Sequence, residues 1–153
     1  MAYGLERKED GNVYISDTGT RIILVPIEML STMANEFRKF VGPASKVLMR
    51  EVGKSLGLAM GEVIRKELEE QENVEEAIRE FLGKAGFGEV KVSSSEGCYH
   101  VTFKDAPSMK TCKTCDFEAG VISGLLEALT NKKWRVSVTT KGEECLVHAV
   151  PLQ

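Results

Sequence analysis

The sequence predicts an α+β fold: an antiparallel β-sheet packed by helices on one side. Three observations predict it. Apolar residues recur at steps of three and four in four separate stretches. The period drops to two in segments around residues 90–104 and 134–150. The changes of period fall at or near glycine, proline or asparagine. A chain of 153 residues suits one domain, 1–153, and a fold of this size buries about 70% of the surface its unfolded chain exposes.

Residues 1–12 are polar and expected to fray. Val13-Tyr14-Ile15 reads as a short strand, Asp17-Thr18-Gly19-Thr20 as a turn, and Arg21-Ile22-Ile23-Leu24-Val25 as a buried strand. Pro26 suits the first turn of a helix, and Ile27, Leu30, Ala34, Phe37 and Val41 form its apolar stripe. Gly42 ends that helix and Pro43 opens the next, which runs to about Glu70. Its apolar stripe is Leu48, Val52, Leu56, Ala59 and Val63. It also carries Gly53, Gly57 and Gly61 at steps of four. A glycine inside a helix costs about 0.8–1 kcal/mol relative to alanine, so three in register need a reason. Close approach of another helix is the simpler one, and a ligand against bare backbone the other.

Asn73 with Glu76 makes a capping-box-like start for a third helix bearing Ile78, Phe81 and Leu82, which stops near Gly83. Val90 and Val92 then alternate with polar residues, and Ser94-Ser95-Glu96-Gly97 turns the chain. Tyr99, Val101 and Phe103 share one strand face, with Cys98, His100, Thr102 and Lys104 on the other. Ala106 to Met109 reads as a loop. A helix capped by Asp116 runs to about Asn131 and buries Val121, Ile122, Leu125 and Leu129, with a small pair at Gly120 and Gly124. Two strands close the chain, Trp134–Val138 and Glu144–Val150, joined by a turn at Lys141-Gly142. Residues 112–150 thus read as one helix plus two strands.

Composition excludes several classes. At 42% hydrophobic and 28% charged, with 4 prolines, the chain is neither disordered nor collagen-like. A net charge of −3 argues against a nucleic-acid binder. No apolar run approaches the ~18 residues of a membrane helix, and the N-terminus lacks signal-peptide patterning, so the reading is cytoplasmic without membrane insertion. Glu67, Glu69, Glu70, Glu72, Glu75 and Glu76 are most simply a solvated face. No Ser/His/Asp set, HExxH motif or P-loop is present.

Chemistry concentrates in the cysteines. Cys112 and Cys115 form a CxxC, and Cys145 and His148 a CxxH. In a reducing compartment such residues suit metal or redox work better than a disulfide framework. Three thiolates and an imidazole, given as two local pairs, compose a tetrahedral structural zinc site with no open position for catalysis. A redox-active CxxC and unrelated thiols are the competing readings. Residues three apart on a regular strand point to opposite faces, so His148 joins Cys145 only across a bulge or strand end. Otherwise the fourth ligand is Cys98, His100, Glu144 or water.

The run Cys115-Asp116-Phe117-Glu118-Ala119-Gly120-Val121-Ile122-Ser123-Gly124 resembles the signature helix of the 4-vinyl reductase, or hydrocarbon-binding, domain family. In that pattern a Cys precedes a Gly-x-x-x-Gly helix, and two strands lead to a final Gly-x-x-(x)-Cys, here Gly142-Glu143-Glu144-Cys145. Arg21 to Leu30 resembles the family's strand-to-helix opening. The resemblance implies a small-molecule or hydrocarbon-binding domain, usually dimeric. Its fold is shared with sensor domains for aromatic compounds and with vesicle-tethering subunits. It implies a zinc ion in the sensor members, held by a Cys at the signature helix, an acid and a Cys on the next strand, and the final Cys. Cys115 and Cys145 match the first and last. The strand 134–140 offers only Arg135, Ser137 and Thr139 for the middle two, leaving Cys112 and His148 as replacements.

The functional expectation is a homodimeric binding module for an apolar small molecule, pinned by structural zinc at Cys112, Cys115, Cys145 and His148. Its pocket walls would come from the glycine-bearing helix, Phe37 and Phe40, and Tyr99 and Phe103. Alternatives are an enzyme or accessory subunit in tetrapyrrole vinyl reduction, a scaffolding dimer that binds no ligand, and a redox sensor.

Overall fold

A computed structural model describes residues 3–68 and 73–153. The N-terminal segment forms an antiparallel meander of three short strands, β1 (Leu5–Arg7), β2 (Val13–Ile15) and β3 (Thr20–Ile22). The expectation of a frayed start needs correction here. Tyr3 is buried edge-on against Phe81, ring centroids 5.9 Å apart, and this contact anchors the strand that follows. The predicted buried strand through Val25 also shortens. β3 stops at Ile22, and Ile23, Leu24 and Val25 are exposed, Ile23 to 80%.

Helix α1 (Glu28–Val41) buries Leu30 and Ala34 and ends at Gly42, whose φ of 59° suits glycine. A 3-10 turn at Gly42–Ala44 carries Pro43 into α2 (Ser45–Glu67). The predicted continuation to Glu70, and Glu69, Glu70 and Glu72 of the acidic cluster, lie outside the described residues. Helix α3 (Val74–Lys84) starts as predicted, the Asn73 side chain accepting from the Glu76 N–H at 2.7 Å.

The main sheet has the order β4-β5-β7-β6, all neighbours antiparallel. Its strands are β4 (Glu89–Ser95), β5 (Cys98–Lys104), β6 (Trp134–Lys141) and β7 (Glu144–Pro151). Tyr99, Val101 and Phe103 face inward from β5, and Cys145, Val147 and Ala149 from β7, while His100 and His148 face outward. The stretch predicted as a loop contains a short helix, α4 (Pro107–Thr111), and α5 (Asp116–Thr130) follows, ending at Asn131 in a left-handed conformation. α5 is buried on nearly every side because it lies between the sheet and α2.

The α2–α5 crossing overturns one expectation and satisfies another. The buried face of α2 is not the leucine-valine stripe. It is Met49, Gly53, Gly57, Met60, Gly61 and Ile64. Backbone meets backbone: a Cβ on Gly53 would strike the Phe117 carbonyl, one on Gly57 the Val121 carbonyl, and one on Gly120 the Arg50 carbonyl. The glycines are therefore there for helix approach. Dispersion between close backbones takes the place of side-chain packing, and Leu56 is left on the neighbouring, partly exposed face. Two ion pairs accompany the crossing, Arg50–Asp116 at 3.0 Å and Lys54–Glu127 at 3.4 Å.

Candidate functional site

Cys115 is the N-cap residue of α5, and Cys145 lies on the inward face of β7, opposite Phe103. Their Cα atoms are 6.3 Å apart and their sulfurs join as a disulfide. The structure thus brings together two of the four predicted metal ligands and not the other two. β7 is regular, so side-chain alternation sends His148 to the outer face, where its ring stacks on His100 at 4.6 Å. Cys112 stands apart, half-buried beside the Thr111 hydroxyl at 3.5 Å. The substitute ligands fare no better: Cys98, His100 and Glu144 belong to the outward-facing sets of β5 and β7.

Among the described residues no three His, Cys, Asp or Glu side chains gather closely enough to hold a metal ion. The donor set present, two mutually bonded sulfurs, does not fit a resident tetrahedral zinc. Thiol titration of the unreduced, denatured protein is expected to find two free thiols, Cys98 and Cys112. Elemental analysis of the same sample is expected to find far less than one zinc per chain. Four thiols and a full equivalent of zinc would refute both statements.

The predicted pocket walls also change. The glycine face of α2 is filled by α5, and Phe40 is 83% exposed. Tyr99 packs edge-on against Trp134 at 5.3 Å. Phe103 belongs instead to a chain of rings: Phe81–Phe87 at 6.4 Å, Phe87–Phe103 at 6.3 Å, and Phe87–Phe117 at 6.3 Å and nearly parallel. These contacts join α3, the loop before β4, β5 and α5.

Beside these rings lies a polar pair that the sequence reading did not single out. Glu118, on the first turn of α5, is fully buried, as is Ser108 on α4. One carboxyl oxygen of Glu118 accepts from the Ser108 N–H at 2.8 Å. The other carboxyl oxygen and the Ser108 hydroxyl make no hydrogen bond of good geometry. A buried polar atom left so costs about 1–3 kcal/mol. Burial pushes the Glu118 carboxyl above its ordinary value, and the nearby charge of Asp116 adds to the rise. The Ser108 N–H, the Glu118 N–H and the nearby Ser108 hydroxyl oppose it. A signal did exist: Glu118 is the one charged residue between Phe117 and Leu126 of a largely apolar helix.

This contact and Pro107 both support helix α4. Pro107 at its start has the fixed φ a helix needs, and Glu118 takes the Ser108 N–H that would otherwise be orphaned. The helix is flanked by two non-glycine residues at positive φ, Asp105 at 64° and Lys113 at 62°. On its outer side Thr111 and Cys112 line a crevice of about 130 Å³ against Ser31, Ala34, Asn35 and Arg38 of α1.

The chain matches no protein-family model. It is 30% identical over 125 residues to an uncharacterized protein of Methanocaldococcus jannaschii. That match covers 78% of this chain and 49% of the relative, so the chain spans about half the relative's length. The likeness to solved structures is stronger. The phenol-responsive sensory domain of the transcription activator PoxR, solved with phenol, superposes at a TM-score of 0.79. The superposition covers 96% of this chain and 84% of that one, at 17% identity. A vinyl-4-reductase family protein from Methanocaldococcus jannaschii superposes at 0.60, covering 86% and 85%, at 16% identity. The chain has the vinyl-4-reductase fold. An H-NOX protein is more distant, at 0.55 and 12% identity over 88% of this chain and 78% of that one. The resemblance of residues 115–145 to the signature helix and closing strands thus coincides with the vinyl-4-reductase fold, and no helix among the described residues is long and apolar enough to cross a membrane.

Proposed function

We propose that this domain binds a small apolar molecule and serves as a homodimeric sensor or accessory unit. The observation that carries the reading is the superposition on a phenol-responsive sensory domain over 96% of the chain. The ring cluster of Phe81, Phe87, Phe103 and Phe117 supports it, because an aromatic interior suits a planar apolar guest. Self-association is supported by the exposed run Ile23, Leu24, Val25, Ile27 and Met29 at the start of α1, and Phe40 is 83% exposed at its other end. Apolar surface on this scale on a single chain marks an interaction face.

The experiment is a binding screen by calorimetry and ligand-observed NMR, using benzene, toluene, phenol, cyclohexanol and indole, with sedimentation analysis of the same sample. Saturable binding of at least one compound to a dimer is expected, and Ile23→Asp with Phe40→Asp is expected to yield a folded monomer. A monomeric wild type that binds none of the probes would end the proposal.

A further inference from the structure

We propose that His100 and His148 form a two-imidazole site for a late first-row divalent ion, of the class of Zn2+, Ni2+ and Cu2+, on the outer face of the main sheet. The site is separate from the apolar-ligand reading and stands or falls without it.

The first support is placement. The chain has 2 histidines among 153 residues. They belong to strands far apart in sequence, yet the β5–β7 register sets them directly opposite one another. Their rings lie face to face, with centroids 4.6 Å apart and planes 8° from parallel. Both residues are exposed, so the core does not hold the rings in this arrangement. β5 and β7 are the two inner strands of the sheet, each paired on both sides, and that backbone fixes the spacing from which the two side chains start. Two ligands already set side by side lose little freedom when an ion arrives.

The second support is the chemistry of the row. Each neutral imidazole offers a ring nitrogen to a metal. Zinc–nitrogen bonds of about 2.0–2.1 Å put two nitrogens on one tetrahedral ion about 3.3 Å apart. Co-facial rings at 4.6 Å reach that by tilting their edges together, a closure of about 1 Å within the broad χ2 range of histidine. In register with the pair stand Ser93 on β4 and Ser137 on β6, small residues that leave room for water on the ion. The row therefore offers nitrogen and water but no carboxylate. Such a set suits the later divalent ions and not Ca2+ or Mg2+, which take mainly oxygen ligands. Cys98 is on the same strand face but one row away, opposite Ser95, and the Cys115–Cys145 pair is on the inward side of the sheet. Two protein ligands hold an ion only in roughly the micromolar range. It comes off on dialysis, so the isolated chain is still expected to carry far less than one zinc.

The test titrates Zn2+ into the dialysed, untagged chain, followed by calorimetry and by NMR of the imidazole nitrogens. The samples are the wild type, His100→Ala, His148→Ala and Cys98→Ser. In the wild type one ion is expected to bind, and the two imidazole signals are expected to move together and saturate at the same Zn2+ concentration. Mg2+ at equal concentration is expected to move neither. Each histidine variant, altered at an exposed position, is expected to bind at least about tenfold more weakly, because the remaining imidazole has lost its neighbour. Cys98→Ser is expected to bind as the wild type does. Wild-type binding no tighter than that of the single-histidine variants, a shift of one imidazole without the other, or loss of binding in Cys98→Ser would overturn the proposal. The wild-type imidazole signals decide the matter even where a variant does not fold.

Discussion

Replacing Gly120 by alanine is expected to destabilise the fold by about 3 kcal/mol or more, at the upper end of what overpacking does in a core. The new Cβ would run into the Arg50 carbonyl and the Lys54 amide nitrogen of α2, and neither can turn aside as a side chain can. Relief requires α2 and α5 to separate, which loosens the Arg50–Asp116 pair and the burial of Met49, Met60 and Ile64 along with it. Gly57→Ala, facing the Val121 carbonyl, is expected to behave alike. Gly83→Ala is the control. It lies inside α3 with nothing within 4 Å of an added Cβ, so it is expected to stabilise by about 0.5–1 kcal/mol. Urea unfolding of the three variants checks the ordering, and equal losses in all three would refute the account of the crossing.

The next largest effect is expected at Glu118. Alanine there strands the Ser108 N–H and opens a void beneath α4, a combined loss of about 2–4 kcal/mol. Glutamine keeps an acceptor for that N–H and adds an amide donor for the Ser108 hydroxyl, with no charge to bury. The pH dependence follows from the raised carboxyl. The folded chain holds its proton above the ordinary glutamate value of 4.5, where the unfolded chain has lost it. Stability contributed by the protonated form is therefore full below 4.5 and falls as pH rises toward the elevated folded value. Glu118→Gln has no such term. The variant and the wild type are expected to unfold alike at pH 4, and the variant is expected to be the more stable by about 1–3 kcal/mol at pH 9. A wild type that gains on the variant with rising pH would contradict the assignment.

Much of the architecture was legible in the chain because it is written in local periods. The hairpin at Glu96-Gly97, the Asn73 cap, the end of α5 at Asn131 and the inward set Tyr99, Val101 and Phe103 each depend on neighbours a few residues away. The buried side of α2 was misjudged for a definite reason. Hydropathy ranks leucine and valine above glycine, yet a helix that meets another backbone to backbone buries the residues with the least side chain. That only two of the four proposed ligands meet has a different reason. A CxxH spacing says nothing about strand alternation, and β7 continues without a bulge from Glu144 to Pro151.

Residue types and their spacing were enough to establish an α+β chain with a glycine-bearing helix, a hairpin and a terminal helix–strand–strand unit. Three-dimensional packing alone decided that Cys145 meets Cys115 and leaves Cys112 and His148 aside. It alone showed that α4 exists, and that Glu118 reaches back ten residues to Ser108. The physical reason is distance along the chain. Helix and strand periods arise between residues two to four apart, whereas the disulfide spans 30 residues and the ring cluster and buried carboxyl join separate elements. Such partners are set by how the faces close over one another.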